Sequence, residues 1–464
     1  MARTECEAER LTAEDARILG LERGAIAGHC CNVIVVDPPP DGEPPTIDAL
    51  RAHITSRLDF APRCRQRLAP TPLGLAPPLW VDDIDFDITR HVRQLAEDRE
   101  IDDETLPRVL ARLMEGRLDR RHPLWSLHMA RLRGGRTALL WREHHCMADG
   151  MSSLRLLSAL LWDTEPHSGP AESPPHHPTP SYTKTELLRF GLAARFRPSA
   201  PSTDGGAERR GWWPSLAEVG RAAGAVRREL FPSSDLSPLA ARVGHRRTVA
   251  WISGPLAELH DAGKAVGPRV TVNDVVLAVV TGGMRRWLSA REARAEHIRV
   301  KVPVSLHRPG EERNELVNRD SFLFIDLPIL EPDIRQQLIA ISKETSERKG
   351  AHDADELDAL IQEAEHLPMG DHVVDLTMSP HVFALNVSNV PGPPGPLSVL
   401  GGRVASLDGV AEVAQAHALR VAARSSVGRL SFGLCADPDV VPDLHLIIEG
   451  MRSSIEDLLA PAAT

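Results

Sequence analysis

The chain has 464 residues, of which 42% are hydrophobic and 25% are charged, a composition typical of a globular protein rather than a disordered or fibrous one. Its formal net charge is −10 and only 4% of its residues are aromatic. These values exclude a nucleic-acid binder that relies on a basic surface or on aromatic stacking. At about 150 residues per domain, the length predicts three domains or two large ones.

The cysteines and the apolar segments indicate a cytoplasmic protein. The six cysteines are scattered without a Cys-x-x-Cys pair, so we expect neither a zinc knuckle nor a disulfide framework. Residues 1–10 are rich in acidic side chains and lack an apolar core, so we expect no signal peptide. The most apolar windows, such as 275–280, are too short to cross a bilayer. The sequence therefore predicts a soluble protein, and it leaves contact with a membrane surface open.

Strands and helices alternate in the first third of the chain. A β-branched run at 32–36 ends before three prolines and predicts a buried strand. Apolar side chains recur at helical spacing over 106–114, which predicts a helix. A strand is expected at 137–143, and the leucines at 154–161 predict a helix soon after it.

Proline marks the centre of the chain. Six of the nineteen residues at 164–182 are proline, which indicates an extended surface connector. Further breaks follow at 198–211 and 232–244, with helical patterns at 185–196 and 215–230. The predicted divisions are an N-terminal half at 1–163, a proline-rich and partly helical linker at 164–245, and a C-terminal half at 246–464.

The C-terminal half repeats the alternation of strands and helices. Its predicted strands are 248–252, 298–304, 321–327, 383–388 and 429–434, and its predicted helices are 275–288 and 444–459. The whole pattern predicts a mixed α/β fold in two halves of similar size.

A short segment between the predicted strand at 137–143 and the helix after it carries the chemistry. It begins with His144 and His145 and ends with Asp149 and Gly150. A neutral imidazole held at a strand end is a suitable general base for a hydroxyl or an amine. Asp149 and Gly150 are placed to hold the turn. Since no serine or cysteine nucleophile sits in a suitable elbow, the site would activate an acceptor from the substrate itself.

A structural role is the alternative for these histidines, because adjacent histidines are also found as packing residues and as fragments of metal sites. A metal site would need further ligands at short spacing, which this segment lacks. His176 and His177 lie in the proline-rich connector, where we expect them to be solvated. We therefore expect no bound metal.

The segment resembles the His-His-x-x-x-Asp-Gly signature of the CoA-dependent acyltransferase superfamily. That superfamily includes chloramphenicol acetyltransferase, the condensation domains of peptide synthetases and the bacterial wax ester synthase/diacylglycerol acyltransferases. The chain is most similar to the last group, from about residue 11 to residue 459. Further matching motifs are Arg63–Arg67, Trp80-Val81-Asp82, Asp85-Phe86-Asp87, Pro123-Leu124-Trp125, Asn273-Asp274, Pro303-Val304-Ser305, Asn318-Arg319 and the segment 388–393.

The resemblance implies an α/β (α+β) fold of two chloramphenicol-acetyltransferase-like halves with the active site in a tunnel between them. It implies His145 as the catalytic base, with His144, Asp149 and Gly150 shaping the site around it. Acyl-CoA is then a substrate, and no cofactor is expected. The residues implied at the substrate site are Pro123, Trp125, Asn273, Asp274, Ser305, Arg308 and Asn389.

Several of these residues have simpler interpretations. Asn273 or Asp274 could be the N-cap of the helix that follows. The turn-forming sequence at Asn389 would by default end a strand, and Trp125 could simply be a hydrophobic plug under the site. Arg308 is a candidate ion-pair partner of Asp149.

The predicted function is that of an acyl-CoA-dependent O-acyltransferase of lipid metabolism. The acyl chain would pass to diacylglycerol or to a long-chain alcohol, giving triacylglycerol or a wax ester. Departures from the family pattern, at 238–241 and at His307 and Val317, leave other acceptors and donors open. The alternatives are a specialised-metabolite hydroxyl or amine as acceptor, a carrier-protein thioester as donor, and a non-catalytic protein that binds acyl-CoA or lipid.

Contact with a lipid surface is a separate hypothesis. Trp212 and Trp213, together with Arg221, Arg227 and Arg228, could dock a helix on a membrane or a lipid droplet. The alternative is that this helix packs on the domain surface. We accordingly expect a cytoplasmic protein with peripheral membrane contact left open.

Overall fold

The structure is a computed structural model. It describes residues 9–40, 42–95, 99–163, 182–196, 237–293, 298–305, 320–350 and 378–461. Helices and strands alternate along these residues, so the predicted mixed α/β fold is confirmed.

The chain divides into two compact units. The first consists of Met1–Asp102, Gly116–Trp213 and Leu397–Ala405, and the second of Asp103–Glu115, Pro214–Pro396 and Ser406–Thr464. The segment 103–115 thus belongs to the second unit although first-unit sequence flanks it, and 397–405 belongs to the first unit although second-unit sequence flanks it. The composition of the chain does not reveal this exchange. The predicted divisions at 163 and 245 stay predictions.

The helices are numbered here in chain order. They are α1 (Ala13–Leu21), α2 (Ile47–Thr55), α3 (Ile88–His91), α4 (Leu106–Glu115), α5 (Gly150–Leu160), α6 (Lys184–Phe196), α7 (Leu256–Val266), α8 (Val272–Ala290), α9 (Ile334–Gly350) and α10 (Leu444–Leu459). Among the described residues, no helix combines the length and the apolar character needed to cross a bilayer.

The strands form two six-stranded mixed sheets and one small two-stranded sheet. They are β1 (His29–Val36), β2 (Gln66–Ala69), β3 (Leu79–Asp82), β4 (Val92–Gln94), β5 (Trp125–Arg131), β6 (Thr137–His144), β7 (Thr248–Pro255), β8 (Ile298–Ser305), β9 (Asp320–Leu327), β10 (Leu385–Pro391), β11 (Ser398–Val399), β12 (Gly402–Ala411), β13 (Leu419–Ser426) and β14 (Arg429–Ala436).

The sheet of the first unit is built around β6. Its strand order is β11-β12-β1-β6-β5-β4, and β6 pairs antiparallel with both β1 and β5. Every residue of β6 is buried, as expected for a central strand that is covered on both faces. The register places His29 opposite His144 at the end of the strand. The fold therefore holds the histidine pair at the end of its most constrained strand.

The small sheet joins two of the matching motifs. The strand β2 pairs antiparallel with β3, so that Arg67 lies opposite Val81. The helix α6 is the observed form of the helix predicted at 185–196. Its Leu187 and Phe190 pack against a core cluster that includes Leu79 and Val81. The helix predicted at 215–230 lies outside the described residues.

The second unit packs helices against its own six-stranded sheet, with strand order β7-β14-β13-β10-β8-β9. The helices α8 and α10 approach each other closely at glycines. A Cβ atom at Gly283 would lie 2.6 Å from Met451 Cγ, and one at Gly450 would lie 2.6 Å from the Gly282 oxygen. The apolar run predicted as a helix at 275–288 is thus the buried centre of this unit.

The structure shifts one predicted strand. The strand predicted at 383–388 is observed as β10, which starts at Leu385 and runs to Pro391. Asn389 and Pro391 pair with Ala423 and Ser425 of β13, and the strand ends at Pro391, so the turn-forming sequence does end a strand, but only after its first three residues. Proline is tolerated there because β8 pairs only with the first two residues of β10, so no N–H is needed on that side.

Candidate active site

The two histidines of the pair have different environments. His144 is the last residue of β6 and is 1% exposed, whereas His145 follows the strand and is half-buried. Successive side chains of a strand point in opposite directions, so adjacent histidines cannot share one environment. The backbone N–H of His145 donates to the Gly28 oxygen at 2.8 Å. His145 is therefore the more accessible ring, on a backbone that is held in place.

The hydrogen bonds of His144 define its tautomer. Its Nδ1 accepts the backbone N–H of Cys146 at 3.1 Å, so a neutral ring carries its proton on Nε2. Nε2 lies 3.3 Å from Oε2 of Glu22. This ring is thus hydrogen-bonded at Nδ1 and faces a carboxylate at Nε2.

Two arginine side chains hold the carboxylate of Glu22 in place. Its side chain is only 6% exposed, and it forms ion pairs with Arg117 at 3.3 Å and with Arg120. Burial by itself raises the pKa of Glu22, but the adjacent His144 ring and the hydrogen bonds from Arg120 outweigh it, so the pKa lies below its usual value. Glu22 is therefore a carboxylate near neutral pH and faces the proton-bearing nitrogen of His144 at 3.3 Å.

Gly28 makes room for this arrangement. It has a φ of +71°, a conformation that favours glycine, and a Cβ atom there would lie 2.7 Å from Nε2 of His144. The same residue supplies the carbonyl that holds the His145 backbone. Gly28 thus contacts both members of the pair.

Asp149 and Gly150 begin the helix after the histidines. The Asp149 carboxylate accepts the backbone N–H of Ser152 at 2.6 Å and is the N-cap of α5. Gly150 is the first residue of that helix. The cap fixes the end of the turn that starts at His145.

Cys146 is not placed as a nucleophile. It is 2% exposed, and burial raises the pKa of its thiol well above the usual value. A thiol in this environment stays protonated and unreactive. Its position agrees with a site that lacks a cysteine nucleophile.

Pro123 and Trp125 are both buried and line a cleft of about 1030 Å³ in the first unit. The Trp125 ring stacks between His91, at 4.6 Å, and Trp141, at 4.7 Å between centroids. Its Nε1 donates to the Cys64 oxygen at 2.8 Å. Trp125 therefore has packing partners on both faces of its ring, as the simpler interpretation of a hydrophobic plug predicts.

The Asn273-Asp274 motif begins α8 in the second unit, but neither residue is the N-cap. The cap is Thr271, and Asp274 completes a capping box by accepting the Thr271 N–H at 2.8 Å. The other oxygen of Asp274 accepts the hydroxyl of Thr345 at 2.7 Å. Asp274 is 1% exposed with both oxygens engaged, whereas Asn273 is half-buried. The N-cap thus lies two positions before Asn273 and three before Asp274, because the Thr271 hydroxyl accepts the backbone N–H of Asp274.

The other described residues that were predicted to contact substrate lie on strands of the second unit. Ser305 ends β8, and Asn389 lies on β10 with its Oδ1 buried and without a hydrogen-bond partner among the described residues. Arg308 lies outside the described residues, so its predicted pairing with Asp149 stays a prediction. The same holds for His176, His177, His307, Val317, Trp212, Trp213, Arg221, Arg227 and Arg228.

Three residues near the histidine pair were not predicted from the sequence: Glu22, Gly28 and Arg120. Arg120 lies three positions before the Pro123-Leu124-Trp125 motif, and this nearness is a weak sequence signal for a site residue. Gly28 directly precedes β1, where a glycine indicates an unusual backbone. Glu22 is separated from His144 by more than a hundred positions, and nothing in the sequence pattern links the two.

Two family models match the chain. The wax ester synthase/diacylglycerol acyltransferase catalytic domain matches residues 11–276, and the C-terminal domain of the same family matches residues 317–459. The first match contains the histidine pair, Asp149 and Asp274.

Individual relatives match over almost their whole length. A Mycobacterium tuberculosis (H37Rv) protein described as a probable diacylglycerol O-acyltransferase, tgs1, is 31% identical, covering 98% of this chain and 95% of that protein. Another from Mycobacterium tuberculosis (CDC 1551), tgs2, described in the same way, is 28% identical, covering 96% of this chain and 97% of that protein.

Solved structures share the fold. The wax ester synthase/diacylglycerol acyltransferase of Marinobacter aquaeolei VT8 has a TM-score of 0.67 at 20% identity, covering 97% of this chain and 98% of that one. The first condensation domain of the CDA synthetase has a TM-score of 0.60 at 18% identity, covering 99% and 98%. The predicted fold of two chloramphenicol-acetyltransferase-like halves is confirmed by these likenesses.

Proposed function

The chain belongs to the wax ester synthase/diacylglycerol acyltransferase family, and from that premise we propose that it passes an acyl chain from a CoA thioester to the hydroxyl of diacylglycerol or a long-chain alcohol. The family predicted from the His-His-x-x-x-Asp-Gly segment is thereby confirmed, and the chain is an acyltransferase. The proposed products are triacylglycerol and wax ester, the ester products of these two acceptors.

The observation that carries the proposal is the difference between the two histidines. His145 is the more accessible of the pair, while His144 is buried, with its Nδ1 hydrogen-bonded and its Nε2 facing Glu22 at 3.3 Å. A general base must reach the proton that it removes. His145 is therefore assigned as the base and His144 as the residue that shapes the turn.

The proposed reaction proceeds in one active-site event without an acyl-enzyme. His145 accepts the proton of the acceptor hydroxyl as the oxygen attacks the thioester carbonyl. The tetrahedral oxyanion then collapses, the C–S bond breaks, and the imidazolium protonates the departing CoA thiolate. General-base catalysis contributes about 10²–10⁴-fold, so orientation of the two substrates and stabilisation of the oxyanion supply the remainder.

The other assigned residues position this base. In the proposal, Asp149 and Gly150 fix the turn through the cap of α5, and Asp149 does not exchange protons with substrate. Asn273, Ser305, Arg308 and Asn389 are proposed to contact substrate. Proton transfer by an imidazole needs neither a metal nor an organic cofactor, so none is proposed.

The location of the reaction follows from its acceptors. Diacylglycerol and long-chain alcohols partition into bilayers and lipid droplets. We therefore propose a cytoplasmic enzyme that meets a membrane or droplet surface peripherally. Trp212 and Trp213 are the proposed contacts.

The test of the assigned base is His145→Ala. We expect a loss of about 10²–10⁴-fold in kcat with palmitoyl-CoA and either hexadecanol or dipalmitoylglycerol, because only the proton acceptor is removed. The melting temperature should stay near the wild-type value, since the ring is half-buried. Ester formation is measured by mass spectrometry.

His445→Ala is the matched control, because His445 is an exposed histidine on α10 in the second unit. It should leave both activity and melting temperature unchanged. Full activity of His145→Ala would exclude His145 as the base. Turnover of an acyl carrier protein or an amine, but of none of the lipid substrates, would favour the condensation-type alternative.

A further inference from the structure

A cleft of about 1030 Å³ in the first unit is lined by positively charged side chains. We call it the arginine cleft. Its lining includes Arg67, Arg93, Arg142, His91 and His128. These residues come from β2 of the small sheet, from α3, and from β4, β5 and β6, which are neighbours at one edge of the six-stranded sheet.

The charge of the cleft is unbalanced. Seven arginines and three aspartates line it, and Glu22 and Asp87 pair with lining arginines, which leaves an excess of two positive charges. Two of the aspartates are engaged within the cleft, Asp119 by Arg121 at 2.7 Å and Asp83 by His122 at 3.0 Å. The third, Asp85, is exposed at the rim.

The arginines fall into two groups. Arg117 and Arg120 pair with Glu22, and Arg90 lies 3.7 Å from Asp87. The guanidinium of Arg93 instead donates to the Arg90 backbone oxygen at 2.7 Å.

Arg142 also donates to the Gly116 oxygen at 2.8 Å. A bond to a neutral backbone oxygen orients the Arg93 guanidinium without cancelling its charge. Arg67 extends the same positively charged wall from the small sheet.

The properties of His128, a buried histidine of the cleft wall, agree with a positive electrostatic potential in the cleft. His128 is 7% exposed, and its Nδ1 has no hydrogen-bond partner among the described residues. Burial, and then the charges of Arg142 and Arg93, lower its pKa to about 4. A buried polar atom without a partner in a cationic wall is typical of a site that is completed by a ligand.

The cleft lies close to the histidine pair. Arg117 and Arg120 line the cleft and also bind Glu22, whose Oε2 lies 3.3 Å from Nε2 of His144. A ligand anchored in the cleft can therefore extend a flexible arm toward the turn that carries His145.

We propose that the arginine cleft binds the phosphate groups of coenzyme A, and so holds the acyl donor by its nucleotide end. This inference rests on the proposed function, since it assigns the donor of that reaction to a site. Phosphate esters are charged at neutral pH, and guanidinium groups bind them with paired, charge-assisted hydrogen bonds. The cleft is also of the size that takes a nucleotide-sized ligand.

The charge of the cleft favours a free coenzyme over a carrier protein. Coenzyme A carries a pyrophosphate and a 3′-phosphate, which together match several arginines. A carrier protein presents its thioester arm through one phosphodiester, which brings less negative charge to the cleft than the three phosphate groups of coenzyme A.

The test uses the full chain with the double substitution Arg67→Gln/Arg93→Gln. We expect KM for palmitoyl-CoA to rise about tenfold or more, with kcat unchanged, because neither residue contacts the reacting atoms. KM for palmitoyl-pantetheine, which lacks the phosphates, should not change. Palmitoyl-3′-dephospho-CoA should show an intermediate KM with the wild-type enzyme.

Two variants separate this effect from damage to the fold. Arg67→Lys/Arg93→Lys keeps the charges and should recover part of the lost affinity. Arg131→Gln removes an exposed arginine of β5 outside the cleft and should leave every KM unchanged. Thermal melting of each variant is followed by circular dichroism.

A binding measurement makes the inference independent of turnover. Adenosine 3′,5′-bisphosphate is titrated by calorimetry into the wild type, His145→Ala and the double glutamine variant. We expect equal affinity in the first two and at least tenfold weaker binding in the third. If the double variant changes neither KM for palmitoyl-CoA nor bisphosphate affinity, the proposal is overturned. If bisphosphate binding depends on the arginines but no donor is turned over, the cleft assignment stands and the proposed acyl transfer fails.

Discussion

Glu22 and Gly28 explain how two adjacent histidines acquire different roles. The carboxylate of Glu22 faces Nε2 of His144, while Cys146 donates to the other nitrogen, so the buried ring has one preferred tautomer. Gly28 lies against the same ring without a side chain and holds the backbone of His145. The accessible histidine is thus positioned through its buried neighbour.

The contact at Gly28 gives a prediction at the scale of one residue. Gly28→Ala places a methyl group 2.7 Å from His144 Nε2, on a residue whose φ of +71° already disfavours alanine. We expect the free energy of unfolding to fall by about 1–3 kcal/mol and kcat to fall with it, because the His144 ring must move. Urea unfolding and ester formation measure the two effects.

Gly24→Ala provides the matched control. Gly24 has a φ of +55°, but a Cβ atom there meets nothing within 4 Å. In this variant the free energy of unfolding should fall only because of the strained backbone, and kcat should not change. Equal kcat values for the two alanine variants would show that the contact with His144 does not matter for catalysis.

The turn between β6 and α5 acts as one element. The strand β6 ends at His144. At the other end of the turn, the Asp149 carboxylate caps the helix by accepting the backbone N–H of Ser152 at 2.6 Å. A helix N-terminus needs such an acceptor because its first N–H groups have no partner in the helix. The geometry assigns Asp149 a role that any good cap could perform.

This assignment gives a prediction for the element. Asp149→Ala should lower the free energy of unfolding by about 1 kcal/mol, since the cap is lost. Asp149→Asn keeps an oxygen acceptor and should keep both the stability and most of the kcat. If Asp149→Asn folds normally but loses activity, the negative charge itself is required, as the predicted ion pair with Arg308 would demand.

The elements differ in how well the sequence predicts them. The helix predicted at 444–459 is observed over the same residues, and the strand at 137–143 gains only His144, because long periodic runs define their own structure. The short strands β2 and β4 were not predicted, and neither were β5, β12 and β13, which have 7, 10 and 8 residues, so length alone does not decide which strands a local pattern reveals. The shift at β10 arose because pairing with β13 overrides the preference of an Asn-Val-Pro sequence for a turn.

Buried neutral histidines link the stability of the whole molecule to pH. Burial is the main cause that lowers the pKa to about 4 at His91, His128 and His417, which lie 3%, 7% and 3% exposed. The unfolded chain binds these protons with a pKa of about 6.5, so acid favours unfolding. Stability present above pH 6.5 is therefore lost as the pH falls from about 6.5 towards 4.

We expect each of these histidines to cost on the order of 1–2 kcal/mol of stability at pH 5 relative to pH 7.5. Urea unfolding at the two pH values measures the difference. His417→Gln should reduce this pH dependence, whereas His445→Gln, at an exposed position of α10, should leave it unchanged. A wild-type stability that does not fall at pH 5 would contradict the assignment of neutral buried rings.

The sequence by itself determined the mixed α/β class, the catalytic turn from His144 to Gly150 and the family, because periodicity and short motifs are local properties. Only the tertiary structure decided which histidine is accessible, which carboxylate binds the other, and how arginines from separate strands line one cleft. The pairing of β1 with β6 places His29 opposite His144, and the chain fold places Glu22 beside it. Such contacts join residues far apart in the chain, and no local pattern encodes them.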